Sequence, residues 1–180
     1  GNPDIIPATN DVNELSWLHK QKKFSIQSTI FYQLRLNRVR RIRFVDENGV
    51  SNVKWVNYDR EDYYGFELFT NFQLGKHVNS NFSANIYERN TDGSNISPTY
   101  VTKYYGWDGK LNITVKLPKN FKVQFNGQYK SPKKIVIGTI DARYFFDINI
   151  QKSILKKKGK IAVRLSDVLN TRQFEIETLV

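Results

Sequence analysis

The segment Phe24, Ser25, Ile26, Gln27, Ser28, Thr29, Ile30, Phe31, Tyr32, Gln33, Leu34, Arg35, Leu36 is apolar at its even positions except Ser28. It is polar at its odd positions except Phe31. A period of two is that of a strand with one greasy and one wet face. The same alternation recurs along the whole chain and predicts eight strands with almost no helix. The first covers about Val12 to Lys20 and the second Lys23 to Val45. The third returns through Val53 to Tyr58 and crosses as Tyr64 to Leu74. Four more carry Phe82/Ala84/Ile86, Leu111/Ile113/Val115, Phe121/Val123/Phe125/Tyr129 and Tyr144/Phe146/Ile148/Ile150 on their apolar faces. The eighth runs from Lys160 to Val168.

The second strand is too long for an ordinary globular sheet. At about 3.3 Å per residue it reaches roughly 75 Å, more than a bilayer requires, so it continues beyond the membrane into a hairpin. Asp46, Glu47, Asn48 and Gly49 supply the reversal, because Asn and Gly tolerate positive φ. The connections alternate in length. Short turns fall near His19 to Lys22, Gly75 to Asn81, Leu117 to Asn120 and Leu155 to Gly159. Long excursions are the Arg38 to Tyr63 arm, the Arg89 to Lys103 loop and the Lys130 to Gly138 loop. Short periplasmic turns and long extracellular loops are the habit of outer-membrane barrels, which sets strand one running inward. The predicted fold is therefore all-β, an antiparallel up-and-down meander forming part of a transmembrane β-barrel. A small closed eight-stranded barrel is the structural alternative; it would have to pair lumen charges such as Arg35, Glu67, Lys110, Lys116, Arg143 and Asp147.

Composition narrows the choice only a little. Lys and Arg number 28 against 17 Asp and Glu, a balance of +11, which suits a polyanion or an anionic membrane surface equally. There is no cysteine, hence neither a disulfide framework nor a thiolate metal site. No apolar run approaches the length of a transmembrane helix, and no signal-peptide pattern opens the chain.

Aromatic residues collect at predicted strand ends. Tyr63, Tyr64, Tyr100, Tyr104, Tyr105 and Trp107 lie at the outer ends, and Trp17, Phe82 and Phe121 at the inner ends. Rings at both interfaces are expected of a spanning barrel, although strand ends favour aromatics in any β protein.

Several pieces carry a family resemblance. Gly1, Asn2, Pro3, Asp4, with Pro7, Glu14 and Leu15, resemble the Gly-Asn-Pro segment that introduces a barrel strand in TonB-dependent outer-membrane receptors. Gly109 to Leu117, the Leu117, Pro118, Lys119 turn, Tyr129 to Pro132, the Lys156 to Lys158 turn and Leu165, Asp167, Leu169, Asn170, Thr171 resemble their C-terminal barrel. The likeness is to the outer-membrane β-barrel family common in Bacteroidetes-type bacteria, with a departure at Ala8, where an acidic residue is usual. The resemblance implies a bacterial outer-membrane location and a role in nutrient uptake. It also implies lipid or lipopolysaccharide around the wall, a plug domain and the TonB system as partners, and an unidentified small nutrient as ligand. On this reading residues 1–180 form one partial barrel domain, without the plug and without the closure that such receptors reach with about 22 strands.

Candidate chemistry is sparse. His19 and His77 sit in predicted turns with no second ligand at metal-site spacing. No nucleophile elbow, phosphate loop or EF-hand is present, so neither an enzyme nor a bound cofactor is expected. The basic run Arg35, Arg38, Arg40, Arg41, Arg43 is the one concentrated charge feature. Pairing within the arm with Asp46, Glu47, Asp59, Glu61 and Asp62 is the favoured account, and an extracellular anion contact through Arg38, Arg40, Arg41 and Arg43 is the alternative. Two other classes remain open on sequence: a secreted β-sandwich binding carbohydrate through Trp55, Tyr58, Tyr104 or Trp107, and an OB-like nucleic-acid binder. The long polar faces disfavour both, and nucleic acid is not expected as a partner.

Overall fold

A computed structural model of the protein describes residues 2–135, 138–173 and 175–178. Alternation of apolar and polar side chains builds one eight-stranded antiparallel sheet. Its strands are β1 (Thr9–Lys20), β2 (Phe24–Val45), β3 (Ser51–Leu74), β4 (Val78–Asp92), β5 (Val101–Leu117), β6 (Phe121–Lys130), β9 (Arg143–Ile154) and β10 (Gly159–Leu165), in that spatial order. The short β7 (Lys133–Ile135) and β8 (Gly138–Ile140) form a second small sheet with β11 (Ile176–Thr178). Among the described residues β1 pairs only with β2 and β10 only with β9, so the sheet is an open wall and not a closed eight-stranded barrel.

The register carries each alternating pattern across the wall. Ile30 lies opposite Phe66, Phe66 opposite Ile86, and Ile86 opposite Trp107, all on one face. That face is unusually greasy for one open to its surroundings, with Ile30 62% and Leu15 75% exposed. A sandwich would bury such a face against a second sheet, whereas a barrel wall turns it to lipid. The opposite face holds Thr29, Glu67, Asn85, Asp108 and Lys110, the lining expected of a lumen. The apolar band spans the rows from Phe24 and Phe72 to Tyr32 and Tyr64, about the nine to eleven residues a tilted strand needs to cross. Above it, ion pairs take over on the outer face: Arg60 with Asp62 at 2.7 Å and Lys103 with Glu88 at 2.8 Å.

Several boundaries differ from the alternation. The arm and third crossing expected as two pieces are one strand of 24 residues, because β2 pairs along almost all of it. The Arg89 to Lys103 loop shrinks to residues 93–100, since Glu88 to Asp92 pair with Val101 to Tyr105. The Lys130 to Gly138 loop contains β7 and the start of β8. The last strand ends at Leu165, not Val168, and Asp167 and Asn170 then take positive φ. Gly1 of the opening motif lies outside the described residues; Asn2 donates from Nδ2 to the Trp55 carbonyl at 2.9 Å, and Ile6 exchanges hydrogen bonds with the Asn57 amide. The N-terminal segment thus ties β1 across to β3.

Candidate functional site: a cationic concavity inside the arm

The arm is the part of β2 and β3 that rises above the apolar band, and its inner face is set by one residue. Asn37 adopts φ 55° in the middle of β2, a value Asn reaches more readily than most residues. Asn57 Nδ2 donates to the Asn37 carbonyl at 2.6 Å and holds the distortion. Pairing lapses at Asn37 and at Asp59 opposite it, the register being the same on either side, and the inward parity of both strands changes across this pair. Below it the odd residues Phe31 and Arg35 point inward; above it the even residues Arg38 and Arg40 do so, and Val56 and Tyr58 on β3 are buried alongside.

This switch gathers Arg35, Arg38 and Arg40 onto one carboxylate. Glu61 is 0% exposed. Its Oε1 accepts from Arg35 at 2.8 Å and also from Arg38, while Oε2 accepts from Arg40 at 3.2 Å. Burial pushes the Glu61 pKa up, but the guanidiniums of Arg38, Arg89 and Arg40 outweigh it and hold the carboxyl below its ordinary range. A buried carboxylate that accepts several charge-assisted hydrogen bonds stays ionised for that reason.

An aromatic cluster lies beneath. Phe31, Tyr63, Tyr87 and Tyr104 pack in sequence across four strands, with ring centroids 4.8, 5.2 and 6.1 Å apart. Tyr87 occupies a slot left by Gly65 and Gly106, its cross-strand partners; a Cβ on Gly106 would meet the Tyr87 ring at 2.6 Å. Arg89 stands over this cluster with its guanidinium carbon 4.5 Å from the Tyr63 centroid, and its buried Nε has no hydrogen-bond partner.

Strands β7 and β8 face the same space. Arg40, Arg41, Ile42, Arg43, Tyr58, Glu61, Arg89, Thr91, Thr102, Tyr104, Lys133, Lys134, Ile135 and Ile140 line a concavity of about 380 Å³, within the range of small-molecule sites. Burial, followed by the charges of Lys130 and Arg89, pushes the Lys133 pKa below the usual lysine range. Sequence reading found Arg38, Arg40, Arg41 and Arg43. The structure divides them: Arg38 and Arg40 bind Glu61, while Arg41 and Arg43 are exposed at the border of the concavity. It adds Arg89, Lys133 and Lys134, which lie far along the chain, so only strand pairing brings them here.

The aromatic candidates also divide. Trp17, Tyr64, Tyr105 and Trp107 are exposed on the outer face, and Trp107 stacks on Tyr129 at 4.2 Å and thence towards Tyr144. Tyr63 and Tyr104 point inward into the cluster below the concavity. His19 stacks on Trp17 at the inner turn. Among the described residues no three His, Cys, Asp or Glu side chains gather as a metal site.

The C-terminal motif has a structural account of its own. Asp147 on β9 accepts the Asp167 amide at 2.8 Å, Arg164 at 2.9 Å and Arg172 at 3.0 Å. Asp167 in turn accepts the Thr171 amide, and the Thr171 hydroxyl donates to the Tyr144 carbonyl at 2.7 Å. The Asp-Val-Leu-Asn-Thr sequence therefore folds the chain back against β9.

Comparison with known proteins agrees with this architecture. No curated protein matches the sequence. Among solved structures, one described as a copper transporter, OprC, superposes with a TM-score of 0.69 at 10% identity, over 98% of this chain and 30% of that one. The present chain thus spans about a third of the length of that transporter, and the likeness is one of fold. The sequence matches the outer membrane protein β-barrel family over residues 1–180. Strand pattern, lipid-facing band and sequence agree that this chain belongs to the outer membrane protein β-barrel family and resides in the bacterial outer membrane.

Proposed function

We propose that the chain is wall and outer loops of a TonB-dependent receptor for nutrient uptake, in which a plug domain gates the lumen. The observation that carries this reading is the open eight-stranded wall, which matches about 30% of a much longer transporter. A barrel of eight strands would fill its interior with side chains, while a larger one leaves room for a plug or a solute. The inner face of the wall is polar apart from the aromatic cluster below the concavity, and an arm of 13 residues per strand, 33–45 and 51–63, rises above the band, suited to meeting a solute before it enters. Trp17, Tyr64, Tyr105 and Trp107 would seat the wall among lipid and lipopolysaccharide headgroups. The protein's part in uptake is binding and passage, with no chemical transformation of the solute.

Capture by the C-terminal domain of TonB provides the test. The full-length protein, solubilised in detergent, is expected to bind that domain through a segment preceding its plug, and deletion of the segment should abolish capture. A full-length protein that closes its barrel without a plug and ignores TonB would overturn the proposal.

A further inference from the structure

Cations crowd the concavity of the arm well beyond what its carboxylate can balance. Arg40, Arg89, Lys133 and Lys134 border it, Arg41 and Arg43 touch its edge from the odd positions that face outward above Asn37, and among the described residues Glu61 is the sole acidic residue in its lining. Glu61 is already occupied by Arg35, Arg38 and Arg40. Among the described residues no ion pair reaches Arg41, Arg43, Arg89, Lys133 or Lys134, and the buried Nε of Arg89 has a donor hydrogen with nothing to receive it. Like charges held together in a partly desolvated space repel, and an unsatisfied buried donor is costly; both are relieved by an anion that accepts from them. Glu61 serves as the anchor that lets three arginines be packed at the floor, leaving the rim cations free to turn to a guest. The rest of the lining is Tyr58 and Tyr104, buried at the floor, the aliphatic Ile42, Ile135 and Ile140, and the hydroxyl-bearing Thr91 and Thr102.

From this we infer that the concavity binds a multiply anionic small molecule, bearing carboxylate, phosphate or sulfonate groups on an aromatic or apolar body. The inference rests on the uptake reading for its biological sense and names the substrate class. The concavity opens on the inner face, away from the lipid-facing band, so its occupant is a solute and not an outer-leaflet lipid. Guanidinium groups suit planar oxyanions through paired hydrogen bonds, and the lysines add unoriented charge at the rim.

Pyrene-1,3,6,8-tetrasulfonate, a soluble fluorescent tetra-anion with a flat apolar core, serves as the probe. Its anisotropy is followed on titration with the detergent-solubilised full-length protein at low salt. Saturable binding is expected, weakening steeply with added salt and competed by pyrophosphate. R89Q and the double variant K133Q/K134Q should each weaken it about tenfold, with the heat-modifiability of the barrel unchanged in the loop variant. K76Q/K119Q, at the inner turns, should leave the affinity as it was. Absence of saturable binding, or equal loss in the inner-turn variant, overturns the site. Probe binding needs no energy source: its loss with TonB capture intact rejects the anion site alone, and its presence without TonB capture rejects the uptake reading alone.

Discussion

Glu61 can remain fully buried and ionised because three guanidiniums converge on it, and the inner face of the arm depends on that convergence. Replacing it with Gln leaves Arg35, Arg38 and Arg40 facing one another around a neutral group. E61Q is expected to destabilise the barrel by roughly 1.5–3 kcal/mol, read as a lower midpoint of heat-modifiability on gels; an unchanged midpoint would contradict the proposed anchor. The pH dependence follows from the same depressed pKa. The carboxyl titrates below its ordinary value of 4.5 in the folded protein, so its contribution is complete above that pH and is lost as pH falls through the lower, folded value. Hydrogen exchange of the Arg35 to Arg40 amides should be constant from about pH 5 to 8, after correction for the intrinsic rate, and should lose protection below about pH 4. Sequence showed basic and acidic residues close together in the arm and offered several acidic partners. It did not show which carboxylate would be chosen, because that depends on the change of parity at Asn37. An Asn between Leu36 and Arg38 in an otherwise alternating strand was the available signal.

At the scale of elements, the tip of the arm is a turn built on one carboxylate. Asp46 Oδ1 accepts the amides of Asn48 and Val50 at 3.0 and 2.9 Å, and Oδ2 accepts from the Asn52 amide group at 2.8 Å. The Val50 amide is the main cause of its lowered pKa. D46A is therefore expected to speed proteolytic cleavage between residues 46 and 52 without moving the midpoint of the whole barrel, since turn tips open independently of the structure below. Deeper down, Gly65 and Gly106 admit the Tyr87 ring. G106A forces that ring aside, at a cost of about 1–3 kcal/mol for overpacking, and adding Y87A should recover part of the loss. G65A meets the backbone of Ile86 and Tyr87, so Y87A should rescue it less. Thermal midpoints of the four variants test the difference. The Asp46 turn was legible in the sequence because its chemistry is local. The strands β7, β8 and β11 were not, since each has three residues and β11 pairs with a strand more than thirty positions away.

For the whole molecule, the two faces of the wall make opposite demands on the same substitution. Ile30 lies in the lipid-facing band, and Gln27 lies on the inner face three residues away on the same strand. I30R should impair insertion by up to roughly 2–4 kcal/mol, the value for an arginine at the bilayer midplane, whereas Q27R should be nearly neutral. Folding yield into vesicles, followed by heat-modifiability, distinguishes them; equal effects would mean that the outer face does not meet lipid. The sequence by itself determined the strands, the two faces and the alternation of short and long connections, because a period of two and local turn chemistry are properties of neighbouring residues. Tertiary structure alone decided that β1 and β10 do not meet and that Arg40, Arg89 and Lys133 share one concavity. Those outcomes depend on register and on a single backbone reversal at Asn37, and pairing between distant segments is a free-energy balance over the whole sheet that no local pattern contains.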